Sequence, residues 1–97
     1  MQLNISGHHL DITDAIKQHA TEKLAKIKHH FDHLIKIDMI LEVEKDVQKA
    51  EASVHISGAD LFAKAQSDDM YVSIDSMINK LDAQVRKHKE KINNHRK

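Results

Sequence analysis

The sequence predicts an α+β fold, a two-layer sandwich in which two helices cover one face of a four-stranded sheet in the order β-α-β-β-β-α. The hydrophobic pattern predicts this order, because apolar residues alternate in four segments and recur at helical spacing in two. Each strand segment has only one apolar face, so both helices must cover the same side of the sheet. A chain of 97 residues forms one core, and we expect a single domain over residues 1–93 with a frayed tail at 94–97.

The first strand and the first helix are predicted from the N-terminal third. Leu3 and Ile5 alternate with polar residues up to Gly7, which is typical of a short strand. Asp11 and Thr13 both belong to the residue types that cap helices. A helix over about residues 13–32 follows from apolar residues at helical spacing, namely Ile16, Ala20, Leu24, Ile27 and Phe31.

Three further strands are predicted in the middle of the chain. Alternation of period two covers residues 37–43, 50–56 and 61–66, with short connections around 46–49 and at 58–60. Short connections predict an antiparallel meander. The helical crossover before it is expected to be right-handed and to place the first two strands parallel.

The last helix is predicted over about residues 69–93, where Asp68 or Asp69 can cap the first turn. Its apolar stripe consists of Ile74, Met77, Ile78, Leu81, Val85 and Ile92. Three methionines are expected to fill the core, namely Met39, Met70 and Met77.

Charge is balanced in total but separated along the chain. Fifteen basic and fifteen acidic residues give no net charge, yet bases outnumber acids in residues 17–37 and 78–97, while acids dominate residues 38–77. This separation favours a polyanion as the partner. Aromatic residues make up only 3% of the chain, which argues against recognition by base stacking.

The basic residues of each helix line one of its flanks. The C-terminal basic row consists of Lys80, Gln84, Lys87 and Lys91, while Arg86 and Lys89 lie on the opposite flank and outer face. The N-terminal basic row consists of His19, Lys23, Lys26 and His30, while Lys28 points to solvent. If the helices lie side by side, at least one row borders the groove between them and can bind phosphate. The alternative is that both rows are ordinary solvated faces.

Catalysis and metal binding have weaker support. The chain has no cysteine and no glycine-rich phosphate loop, and we expect neither an enzyme nor a bound cofactor. His29 and His33 have a spacing that can chelate a metal, but a zinc site needs further ligands, so we interpret them as helix-end histidines. Asp75 could pair with a lysine of the first helix or with a sheet backbone group. Tyr71 is expected to pack with its hydroxyl at the rim, and an RNA contact is the alternative.

The predicted location is the cytoplasm. The N-terminal residues lack the basic and apolar regions of a signal peptide. No apolar run approaches the roughly 20 residues that a membrane span needs.

Several motifs closely resemble one family. In the last helix they are Asp69-Met70-Tyr71, Ile74-Asp75, Lys80-Leu81, Gln84-Val85 and Lys87-His88-Lys89 with Lys91. Further matches are Met1-Gln2-Leu3-Asn4-Ile5-Ser6-Gly7, Lys23-Leu24-Ala25-Lys26-Ile27, Val43-Glu44-Lys45 and Gly58. These stretches are similar to the ribosome hibernation promoting factor family, which includes the ribosome-associated inhibitor called protein Y.

The resemblance implies a fold similar to a double-stranded-RNA-binding domain and a role on the ribosome. Family members bind the small ribosomal subunit in the channel of mRNA and tRNA, at the A and P sites. They stop translation in stationary phase or stress and influence ribosome dimers. The implied partners are therefore the small subunit and the whole ribosome, through rRNA, with neither DNA nor a membrane, and the protein itself is expected to be monomeric.

The length of the chain resembles the short form of the family. Two alternatives remain open within RNA binding: a protein Y-type inhibitor that does not promote dimers, and a generic structured-RNA-binding module. A histidine-rich metal-binding or small-molecule protein is a third.

The resemblance also implies which residues contact RNA. By position these are Lys23, Lys26, Lys80, Lys87, Lys89 and Lys91, with Gln84 and Tyr71 as weaker candidates. The charge pattern alone adds Lys28, His30 and Arg86. Two positions depart from the family, because Ser73 stands where alanine is frequent and Ala83 where a basic residue is frequent. The change at Ser73 is small, whereas Ala83 is expected to remove one phosphate contact, with Arg86 as a candidate substitute.

Overall fold

A computed structural model describes residues 2–30, 34–56 and 58–94, with side chains at 2–25, 36–56 and 58–88. The elements are β1 (Gln2–His8), α1 (Asp14–His30), β2 (Leu34–Glu44), β3 (Val47–Ile56), β4 (Ala59–Ser67) and α2 (Met70–Asn94). The predicted α+β class and element order are confirmed. The predicted positions of Phe31 and of the tail after residue 94 lie outside the described residues.

The four strands form one mixed sheet in the order β1-β2-β3-β4. β1 pairs parallel with β2, and the other two pairs are antiparallel, as predicted. One row across the sheet joins Leu3, Ile37, Val54 and Leu61. Because side chains alternate between faces along a strand, every second row adds to the same apolar face.

The connections between the strands are shorter than predicted. β2 and β3 are joined by residues 45–46 alone, and Lys45 has a φ of 56°, in the left-handed region. The predicted connection at 46–49 is wrong, because Val47 and Gln48 already pair with Glu44 and Val43. Backbone pairing does not require apolar side chains, so both strands extend beyond the alternating pattern.

Two side chains fix where the helices begin. Thr13 caps α1, since its Oγ1 accepts a hydrogen bond from the Ile16 N–H at 3.2 Å. Asp69 caps α2, and its Oδ1 accepts the N–H groups of Tyr71 at 2.8 Å and Val72 at 3.4 Å. These bonds satisfy backbone donors that the first turn of a helix leaves unpaired.

The core lies between the sheet and the helices. Leu24 of α1 and Leu81 of α2 are fully buried, together with strand residues such as Ile37 and Val54. The three methionines predicted in the core, Met39, Met70 and Met77, are all buried, which confirms that prediction. In the described part of the chain, no helix is long and apolar enough to cross a bilayer.

Ser73 is the buried polar residue among the described core positions. Its Oγ donates to the Gln48 carbonyl oxygen at 2.7 Å and lies 2.7 Å from the Ser67 Oγ. The hydroxyl therefore ties the first turn of α2 to the start of β3 and the end of β4.

Candidate nucleic-acid interface

The C-terminal basic row lies along the outer edge of the sheet. The Lys80 Nζ donates to the Lys64 carbonyl oxygen at 2.9 Å, and the Gln84 Nε2 donates to the Phe62 carbonyl oxygen at 2.7 Å. Four residues of helix rise about 6 Å and two residues of strand about 6.7 Å, so the two spacings match. This flank of α2 therefore borders β4 rather than α1.

The opposite flank of α2 faces α1. The His19 Nε2 lies 2.7 Å from the Asp75 Oδ1, and the His19 and Tyr71 rings meet edge to face with centroids 4.9 Å apart. The partner of Asp75 is thus a histidine of α1, and the predicted lysine or sheet backbone partner is wrong. A histidine ring at position 19 reaches the carboxylate directly across the contact between the helices.

Of the N-terminal basic row, His19 therefore lies at the contact between the two helices. Lys23 lies one turn beyond His19 on the same flank of α1 and is half-buried. Within the described side chains Lys23 makes no ion pair. It is thus a cation of the groove that no described acid neutralises.

The outer surface of α2 carries two further predicted cations. Lys87 is exposed. Arg86 is also exposed, and its Nη2 lies 2.9 Å from the Asp82 Oδ2, four residues earlier. The Arg86 side chain is 58% exposed and the Asp82 side chain 19%, so the guanidinium keeps N–H donors on its solvent side for a phosphate.

Other predicted residues fall where no side chain is described. The side chains of Lys26, Lys28, His30, Lys89 and Lys91 lie outside the described part of the chain, although their backbone belongs to α1 and α2. The same holds for His29, and His33 falls between α1 and β2 in an undescribed stretch. Among the residues that the structure describes, no group of three or more metal-ligating side chains occurs.

The outer face of the sheet holds acids that are paired with nearby bases. Lys36 lies 3.7 Å from Asp38, and His55 lies 2.7 Å from Asp60. Lys49 lies 3.0 Å from Glu44, and the hydrogen bond to this carboxylate raises the pKa of Lys49. Lysines of this face thus partly neutralise its carboxylates, and His55 forms a hydrogen bond with one of them.

Sequence reasoning missed the role of His19 as the partner of Asp75. Helical spacing assigned each residue to a flank of its own helix. It carried no signal for which flank of α2 faces α1, because both flanks border the same apolar stripe. The contact depends on how the two helices lie on the sheet.

Comparisons with known proteins identify relatives of this chain. The family model described as "Sigma 54 modulation protein / S30EA ribosomal protein" matches residues 3–93. The ribosome hibernation promoting factor of Azotobacter vinelandii is 50% identical over 91 residues, covering 94% of this chain and 85% of that relative. The factor of the same name from Escherichia coli (strain K12) is 40% identical over 95 residues, covering 98% of this chain and all of that relative.

Solved structures show the same architecture. A ribosomal subunit interface protein from Coxiella burnetii has a TM-score of 0.88 at 31% identity, covering 93% of this chain and 99% of that one. The N-terminal domain of Thermus thermophilus Protein Y has a TM-score of 0.82 at 29% identity, covering 90% and 94%. The predicted resemblance is confirmed, and the chain belongs to the Sigma 54 modulation protein / S30EA ribosomal protein family, together with the ribosome hibernation promoting factors.

Proposed function

We propose that this protein is a cytoplasmic ribosome hibernation factor, a non-enzymatic protein that binds the small ribosomal subunit. It occupies the rRNA of the mRNA and tRNA channel at the A and P sites and thereby stops translation. In stationary phase or stress it promotes or stabilises inactive ribosome dimers. The names of the relatives from Azotobacter vinelandii and Escherichia coli support the hibernation role.

The packing of both basic helices into one layer carries the proposal. His19 and Asp75 are in contact, so the flank of α1 that bears Lys23 lines a groove shared with α2. Nucleic acids are bound mainly through their phosphates, which need cations that can be freed from local acids. Lys23 and Lys87 meet this need, because neither makes an ion pair within the described side chains.

The proposed RNA contacts are Lys23, Lys26, Lys28, His30, Tyr71, Lys80, Gln84, Arg86, Lys87, Lys89 and Lys91. Lys80 and Gln84 already bond to β4, yet each keeps polar groups for a ligand. The ammonium of Lys80 has three N–H donors and the amide of Gln84 has two. Each residue uses one donor at the sheet edge and keeps the rest. Both residues can therefore hold α2 in place and contact phosphate or sugar.

A pair of charge reversals tests the proposed interface. Lys87→Glu changes an exposed lysine of α2, and Lys36→Glu makes the same change on the outer face of the sheet, where the Lys36 side chain is 42% exposed. If Lys87 contacts phosphate, its reversal should weaken binding to purified small subunits roughly ten- to hundredfold, the value of one charge-assisted hydrogen bond. Filter binding over a salt series measures this, and the salt slope should fall by about one.

The reversal on the sheet is the control, and comparison with it shows which result would contradict the proposed interface. Lys36→Glu should leave the affinity within about twofold of wild type, since an exposed charge on the sheet face opposite the helices contributes little at physiological salt. Equal losses for both variants would point to non-specific charge attraction, and no loss for Lys87→Glu would remove α2 from the interface. Binding without any shift of ribosomes toward dimers would favour the protein Y-type alternative.

A further inference from the structure

Asp75 places a carboxylate in the groove between α1 and α2, where the proposed function places RNA. Its side chain is 40% exposed. A free carboxylate beside a phosphate costs binding energy, because like charges repel and neither group has a hydrogen to donate to the other. The environment of Asp75 therefore affects how well the groove accepts RNA.

His19 forms a hydrogen bond with this carboxylate. The Nε2 to Oδ1 distance of 2.7 Å is that of a strong hydrogen bond to a charged acceptor. An ionised carboxylate only accepts hydrogen bonds, so the Nε2 atom carries the hydrogen and donates it. The His19 side chain is 24% exposed and thus lies deeper than the acid that it binds.

The same imidazole also holds Tyr71. Tyr71 and Asp75 are four residues apart and lie on one flank of α2, so one ring from α1 can contact both. The rings of His19 and Tyr71 are perpendicular, at 90°, with their centroids 4.9 Å apart. This is a favoured edge-to-face geometry, and it leaves Tyr71 40% exposed at the rim of the groove.

We propose that His19 is a positioning residue for RNA binding, an inference that rests on the proposed function. It caps the Asp75 carboxylate, so that this acid does not oppose phosphate. His19 itself need not touch RNA. Its effect on binding passes through Asp75.

A double-mutant cycle separates this role from a merely structural one. His19→Leu removes the donor and leaves Asp75 uncapped, so affinity for purified small subunits should fall roughly three- to tenfold, more at low salt than at high salt. Asp75→Asn removes the acid and should bind as tightly as wild type or tighter. In the double variant the harmful carboxylate is gone, so affinity should return to within about twofold of wild type.

Three further variants complete the design. His19→Gln keeps an N–H donor and should bind more tightly than His19→Leu, and His19→Ala removes the donor with less bulk if the leucine variant does not fold. His55→Leu is the matched control, because His55 and Asp60 form a pair of the same residue types at 2.7 Å on the outer face of the sheet. It should bind like wild type, and thermal unfolding of every variant separates lost folding from lost affinity.

Three results have different consequences. Rescue of His19→Leu by Asp75→Asn supports the inference. A folded His19→Leu variant that binds like wild type, or a loss that Asp75→Asn does not rescue, overturns the inference while leaving the proposed function intact. Failure of the wild-type protein to bind small subunits overturns the proposed function and the inference together.

Discussion

Replacing Gly7 by alanine should destabilise the protein because the turn after β1 leaves no room for a methyl group. A Cβ atom at Gly7 would lie less than 3.0 Å from the Leu10 carbonyl oxygen and 3.1 and 3.3 Å from two side-chain carbons of Ile12. The first neighbour is backbone, so the turn itself must move. His9 in this turn has a φ of 61°, in the left-handed region, which leaves the backbone little freedom to do so.

The size of the effect follows from two opposing terms. Overpacking costs about 1–3 kcal/mol, and a clash with backbone belongs to the upper part of that range, about 2–3 kcal/mol. Alanine also restricts the unfolded chain, which returns at most about 1 kcal/mol. The net loss in free energy of unfolding is therefore about 1–2 kcal/mol, and a domain of this size should lose roughly 4–8 °C in Tm per kcal/mol.

Thermal unfolding followed by circular dichroism measures the change, with Gly58→Asn as the control. Gly58 has a φ of 84° and no heavy atom within 4 Å of an added Cβ, and asparagine tolerates the left-handed region. Gly58→Asn should therefore cost less than Gly7→Ala, about 0.5–1 kcal/mol, because it adds backbone strain at a positive φ without a clash. A Gly7→Ala variant as stable as wild type would refute the steric argument.

Three further variants test the core, the helix cap and the buried hydroxyl. Leu81→Ala removes a fully buried side chain and should cost about 2–5 kcal/mol in urea unfolding; a loss below about 1 kcal/mol would contradict its central place in the core. Asp69→Ala should cost about 1 kcal/mol while Asp68→Ala costs little, and equal effects in thermal unfolding would argue against Asp69 as the cap. Ser73→Ala removes the hydrogen bond to the Gln48 carbonyl and should lower the free energy of unfolding by about 0.5–1.5 kcal/mol; a more stable variant would show that the hydroxyl is dispensable.

Periodicity predicted the architecture well because burial on one face imposes it directly. The stripe through Ile74 and Leu81 and the alternation through Ile37 and Val54 mark the sides that must leave water, and all four residues are buried. Connections were less predictable. Val47 joins β3 through backbone pairing alone, which leaves no mark in a hydrophobic pattern.

The candidate interface was predictable only one helix at a time. Helical spacing placed Lys80 and Gln84 on one flank of α2, but whether that flank faced α1 or β4 depends on how the helix lies on the sheet. The carbonyl groups that they bind belong to β4, and backbone acceptors have no sequence signature. The pairing of Asp75 with His19 joins residues 56 positions apart, beyond the reach of local spacing.

Ribosome binding through rRNA phosphates in the decoding channel is tested most directly by sedimentation of purified ribosomes with the added protein, over a salt series and with competing tRNA. We predict co-migration with the small subunit at low salt, displacement by tRNA, and a log–log salt slope of about −4 to −5, as expected for about six neutralised phosphates. Absence of the protein from the ribosomal fractions at low salt would contradict ribosome binding. Co-migration that neither salt nor tRNA changes would contradict an electrostatic interface in the channel.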